Sequence, residues 1–213
     1  MFPIAILDTE TTGMSPPHDR VIEVAAVIVR DGAVIDSFSE LMDPGFPIPG
    51  FITGLTGISS AMVRGKPRPE AVLPRLRRFL GDLPVLAHNA SFDRRFLDAE
   101  CAQAGQSPIR QWLCSVLLAR RLVPEARSCS LGPLTQQLGI RPPDGHRAHR
   151  ALADVQMTSE VWRCLNDRCR AALGGGCLDI AGWQALQRVS KAKVPTWLAA
   201  RCAGPGPQTA RAG

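Results

Sequence analysis

The chain contains no tyrosine, and aromatic residues of all kinds make up only 5% of its 213 residues. Whatever chemistry it performs proceeds without a phenol. It has no apolar run approaching the ~20 residues that a bilayer-spanning helix needs, so no membrane partner is expected. The first residues lack the basic segment of a secretory leader, and Asp8 cuts short the apolar run behind them, which makes a cytoplasmic location the expectation. Cys-x-x-Cys pairs are missing among the seven cysteines, whose odd number and irregular spacing argue against a disulfide framework and a common zinc site. Acidic residues are absent beyond Asp179, while Arg188, Lys191, Lys193, Arg201 and Arg211 follow it. The chain therefore ends in a cationic arm on a more balanced body, and its formal charge of +6 suits a polyanionic partner.

Ile4 to Leu7 is a short continuous apolar run, the pattern of a strand buried on both faces, and it breaks at Thr9-Glu10-Thr11-Thr12-Gly13. Val21 to Val29 is rich in β-branched residues and forms a second expected strand. Asp31-Gly32 is a hairpin signal, with a third strand from Ala33 to Met42. Residues 43–67, rich in proline and glycine, are expected to form a long functional loop with one short helix. The spacing of Val72, Leu73, Leu76, Phe79 and Leu80 predicts a helix from Pro69 that stops at Gly81. A short strand follows at Pro84 to Ala87, then a helix capped by Ser91 and running to about Ala104. A fifth strand is expected at Gln111 to Ser115, with helices to Leu122, over Ser130 to Leu138, and from His149 to about Leu165. This order predicts an α/β fold: a mixed five-stranded sheet flanked by helices. The expected division is a core domain over residues 1–170 and a basic extension over 171–213, jointed at Gly174-Gly175-Gly176. In the extension, Asp179 is expected to cap a helix that Pro195 ends, with the last ten residues as a disordered tail.

Carboxylates carry the chemistry. Asp8 and Glu10 lie two residues apart at the end of a buried strand, so both project from one face. Two carboxylates at the lip of a core repel each other and lose solvation, a penalty that a divalent cation removes. The plainer alternative has Asp8 capping a turn and Glu10 facing water. Asp93 lies where a strand gives way to a helix, at the edge where open α/β sheets gather ligands. It is equally suited to be a first-turn acid favoured by the helix dipole. Asp154 lies on the last core helix, five residues after His149. Residues five apart on a regular helix point about 140° apart, so the two share a site only if His149 precedes the helix or sits in its first turn. An imidazole, with its ordinary pKa of ~6.5, suits a base that takes a proton from water. A surface histidine is the alternative for His149, and His146 is a rival for the role.

Three segments, Leu7-Asp8-Thr9-Glu10-Thr11-Thr12-Gly13-Met14, His88-Asn89-Ala90-Ser91-Phe92-Asp93 and His149 through Asp154, together resemble the DnaQ-like family of 3′–5′ exonucleases in its DEDDh subgroup. The likeness covers about residues 1–166 and extends to the proofreading subunit of the bacterial replicative polymerase and to stand-alone relatives. It implies a ribonuclease-H-like fold, two Mg²⁺ or Mn²⁺ ions held by Asp8, Glu10, Asp93 and Asp154, and His149 as general base. The sister subgroup uses a tyrosine for that step, and this chain has none. The resemblance also implies that Thr11 and Thr12 face the terminal nucleotide with their backbone. Met14 and Leu55 would wall its base, with His88 and Asn89 also contacting substrate. For Met14 and Leu55, ordinary core packing is the alternative.

The implied partners are 3′ ends of DNA, or of RNA, and a polymerase or other replication or repair protein. Proofreading or repair leads over RNA trimming. A non-catalytic nucleic-acid-binding module is the contrasting reading, weakened because all four acids and the histidine are present. Cys114-Ser115 stands where many relatives carry an acid followed by Thr or Ser, and the segment from Gly174 onward has no clear counterpart in the family.

Overall fold

The computed structural model of the chain describes residues 2–142 and 149–202. His146 and the last eleven residues lie outside them, and with them the rival base and the expected tail. Five strands, β1 (Ile4–Thr11), β2 (Val21–Arg30), β3 (Ala33–Leu41), β4 (Val85–Ala87) and β5 (Trp112–Cys114), form one sheet in the order β3-β2-β1-β4-β5. The pairs β1/β2 and β2/β3 are antiparallel, whereas β4 runs parallel to β1 and β5 parallel to β4. The hairpin between β2 and β3 turns at Asp31 and Gly32, with φ of 51° and 83°, the left-handed pair that a two-residue turn requires.

Helices cover both faces of the sheet. The expected helices from Pro69 and from Ser91 are α3 (Pro69–Leu80) and α4 (Ser91–Gln103). They bury Leu73, Leu76, Phe96 and Leu97 with Ala5 and Leu7 of β1. On the other face, α5 (Ser115–Leu122), α6 (Leu131–Gln137) and α7 (Ala151–Ala172) pack over Ile4 and Ile6. Alternate residues of β1 thus enter opposite cores, which is why its sequence is apolar without interruption.

Four local expectations differ from the structure. The segment 43–67 holds two short helices, α1 (Gly50–Thr56) and α2 (Ser60–Val63), separated by Gly57 at φ 73°. Ser91 is not the cap of α4: Ala90 holds that position, because Asn89 turns the chain at φ 66° and the helix starts one residue early. The helix expected from His149 begins at Ala151 and runs on to Ala172. Pro195 ends no helix. The helix capped by Asp179, α8 (Ile180–Leu186), stops by itself, and Pro195 sits in the first turn of α9 (Val194–Cys202), where its missing N–H has no partner to lose.

The segment beyond α7 packs on the core. Trp183, Leu186, Val194 and Leu198 are buried in the cluster that contains Val161, Trp162 and Leu165 of α7. The Trp162 and Trp183 rings lie 4.6 Å apart between centroids. Gln187 covers the edge of β5: its Oε1 accepts from the Cys114 N–H at 3.0 Å, and its Nε2 donates to the Trp112 carbonyl at 3.4 Å.

Candidate active site

The alternation of β1 sets the site. Asp8 and Glu10 continue the face of Ile4 and Ile6, toward α7, while Thr9 continues the face of Ala5 and Leu7, toward α4. The parallel pairing of β1 with β4 puts their carboxyl ends together, so Asp93 in the first turn of α4 comes to the same edge. Thr9 ties the two: its N–H and its hydroxyl both donate to Asp93 Oδ1, at 3.0 and 2.8 Å. Asp93 is 2% exposed.

Burial raises the pKa of these three carboxylates, and their neighbours add to the rise at Asp8 and Glu10. Asp8 is held well above the usual carboxylate range by burial first, then by Asp93, Glu10, Asp154 and Glu23. Glu10 is pushed up to about 8 by burial and by Asp154, Glu23 and Asp93, with Arg150 pulling the other way. Burial lifts Asp93 to about 7 against the bonds from Thr9. Each acid is therefore costly to ionise in the absence of a compensating cation.

His149 stands before α7 with φ 60°, and its side chain is exposed. Its backbone N–H donates to Asp154 Oδ2 at 3.1 Å. That turn allows residues five apart to face one place, the condition set by their spacing. Ligand atoms of Glu10, His149 and Asp154 lie within 4.8 Å of one another.

A cavity of about 330 Å³ is lined by Asp8, Glu10, Asp93, Asp154 and His149 together. Thr11, Met14, Leu55, His88 and Asn89 also line it. Met14 and Leu55 are 67% and 52% exposed, so ordinary core packing does not describe them. Thr12 is outside this lining: it is buried, its N–H donates to the Arg20 carbonyl, and its hydroxyl bonds Asp19. A second departure concerns His88, which reaches the lining but turns inward, with Nδ1 2.8 Å from the Ser115 hydroxyl. Burial drops its pKa to about 4, against a weaker upward pull from the Cys129 carbonyl, so its imidazole stays neutral at ordinary pH.

Sequence reasoning missed Glu23 and Arg150. Glu23 is 3% exposed in β2, whose other residues as far as Val29 are apolar, and forms an ion pair with Arg150 at 2.8 Å. A lone acid in an apolar strand was the available signal. A second buried pair, Arg20 with Glu100 at 2.8 Å, fastens α4 to the start of β2 and so supports Asp93.

Comparison with known proteins agrees with this arrangement. Residues 5–162 match a family model described as exonuclease. The chain is 38% identical over 156 residues to the PolC-type DNA polymerase III of Clostridium perfringens, covering 73% of this chain and 11% of the relative. With the PolC-type enzyme of Latilactobacillus sakei it shares 40% identity over 154 residues, 72% of this chain and 10% of the relative. The chain thus spans about a tenth of the length of these curated relatives. Among solved structures, exonuclease X in complex with 5′-overhanging duplex DNA superposes with a TM-score of 0.68 at 29% identity, covering 86% of this chain and 99% of that one. The nuclease domain of 3′hExo, a DEDDh family member bound to rAMP, shares the fold at a TM-score of 0.66 and 22% identity, covering 78% and 92%. No described helix is long and apolar enough to cross a membrane. With its mixed sheet, its ribonuclease-H-like neighbours and a family match over most of its length, the chain belongs to the exonuclease family.

Proposed function

We propose that the protein removes nucleotides one at a time from the 3′ end of a DNA strand, releasing nucleoside 5′-monophosphates. One observation carries this reading: four carboxylates and His149 line a single cavity at the carboxyl ends of two parallel strands. The residues fit divalent ions, because Asp8, Glu10, Asp93 and Asp154 supply hard oxygen donors; burial raises the pKa of the first three, and neighbouring carboxylates add to the rise at Asp8 and Glu10. Two Mg²⁺ or Mn²⁺ ions held by these four would steady the entering and leaving oxygens and offset charge at phosphorus.

The chain's own groups do the rest. The His149 ring takes a proton from the attacking water, which adds to the terminal phosphorus as the 3′ oxygen of the preceding nucleotide leaves. Asp154 fixes the turn that carries His149. Met14 and Leu55 flank the terminal base with apolar surface, and Thr11 and Asn89 border the same cavity. Apolar contact accepts any base, as a nuclease without sequence preference requires. We assign catalysis to residues 1–170 and a supporting role to 171–213. DNA is placed ahead of RNA, and a replication or repair polymerase ahead of other partners, because the curated relatives are DNA polymerases. The complete acid set weighs against a silent binding module.

The test is a 5′-labelled single-stranded DNA oligonucleotide incubated with purified protein and Mg²⁺ or Mn²⁺, beside RNA of the same sequence. A ladder shortening from the 3′ end, faster on DNA, and lost with chelator or in Asp8→Ala, is expected. Full activity in Asp154→Ala would contradict the assigned ligand set.

A further inference from the structure

Antiparallel pairing places Glu23 of β2 directly opposite Glu10 of β1. Glu23 is 3% exposed, between residues that are fully buried. A carboxylate so placed persists only when paired and hydrogen-bonded. Arg150 supplies a fork: Nη2 donates to Oε1 at 2.8 Å and Nε to Oε2 at 3.2 Å. The Ala151 N–H donates to Glu23 Oε2 at 3.0 Å.

Ala151 is the first residue of α7, and Arg150 ahead of it offers no side-chain cap. The first N–H groups of a helix have no partner within it. Glu23 therefore caps α7 from another element, reaching across from the sheet. One residue earlier, the His149 N–H is held by Asp154. The turn is thus gripped on both sides: Glu23 fixes residues 150 and 151, and Asp154 fixes residue 149. Arg150 offsets the Glu23 charge only in part at Glu10, and beside that electrostatic effect the pair acts on the cavity through the geometry of the turn.

We propose that Glu23 and Arg150 form a positioning pair that sets the His149 ring and the Asp154 carboxylate over the cation site. Neither needs to touch the substrate. The pair works through the start of α7, so loosening it shifts a base and a ligand at once. This rests on the assignment of Asp8, Glu10, Asp93 and Asp154 as cation ligands.

The test compares Glu23→Gln, Glu23→Ala, Arg150→Lys and Arg150→Ala with the unaltered chain. It measures kcat and KM on a DNA oligonucleotide, Mn²⁺ affinity by electron paramagnetic resonance, and folding by circular dichroism. Groups that orient metal ligands typically affect affinity or activity by ~10–100-fold. Glu23→Ala and Arg150→Ala are expected to lose kcat and Mn²⁺ affinity within that range, with KM little changed. Glu23→Gln keeps an acceptor for Ala151 and should recover part of both. Arg150→Lys keeps the charge but not the fork and should fall in between. A merely structural pair would lower thermal stability while folded variants kept their kcat and Mn²⁺ affinity. Glu23→Gln and Arg150→Lys that are folded and match the unaltered chain in both readouts would overturn the proposal. An unaltered chain that neither binds Mn²⁺ nor cuts would instead remove the assignment beneath it.

Discussion

The backbone N–H of His149 donates to Asp154 Oδ2 at 3.1 Å, across five residues that on a regular helix would face ~140° apart. The chain reconciles the two by placing His149 before the helix, in a left-handed turn at φ 60°. Asp154 in that turn serves as a first-turn acid of α7 and as a wall of the cavity.

His149→Asn separates this turn from the base. Asparagine tolerates the left-handed conformation better than most residues, so folding should be preserved. Loss of a positioned base commonly costs ~10²–10⁴ in rate, and kcat should fall within that range while affinity for the 3′ end stays within a few-fold. Single-turnover kinetics beside filter binding check both.

Stability should depend on pH in a direction that divalent cations oppose. Glu10 releases its proton at about 8 in the fold and Asp93 at about 7, against ordinary values of 4.5 and 3.8. Between those limits the folded chain binds more protons than the unfolded one, so stability falls as pH rises through the window. Bound cations replace the protons. The rise in melting temperature given by Mn²⁺ over chelator should therefore be larger at the top of the window than at the bottom, measured by thermal shift.

Met14 and Leu55 are exposed at the cavity rim, so Met14→Ala and Leu55→Ala should leave stability within ~0.5 kcal/mol of the parent. Losing an apolar contact to the base should cost each ~1 kcal/mol of binding, a several-fold rise in KM. Urea unfolding and steady-state kinetics on DNA separate the two effects.

Trp183 is 1% exposed and packs against Trp162 with the two rings tilted by 55°. Trp183→Ala should cost ~3–5 kcal/mol by denaturant unfolding, since the segment after α7 completes a core.

Much of the site was legible because its signals are local. The apolar run of β1 ending in Asp8 and Glu10, the Asp31-Gly32 turn and the strand-to-helix corner before Asp93 each follow from neighbours in sequence. Glu23 with Arg150 was not legible, because 127 residues separate them and their meeting depends on the β1/β2 register and the docking of α7. Thr12 looked like its neighbour Thr11, but the change of register after Glu10 turns it inward to Asp19 and Arg20. Proline breaks helices, which predicts a stop at Pro195, yet the same lack of an N–H suits a first turn.

The central claim is that four carboxylates share one cavity in order to hold divalent cations. Calorimetric titration of Mn²⁺ into the protein, with a nucleoside 5′-monophosphate present at pH about 8, addresses it directly. The account predicts two ions bound per chain, and weakened or lost binding in Asp8→Asn and Asp154→Asn. Absence of Mn²⁺ binding, or equal binding in those variants, would contradict it.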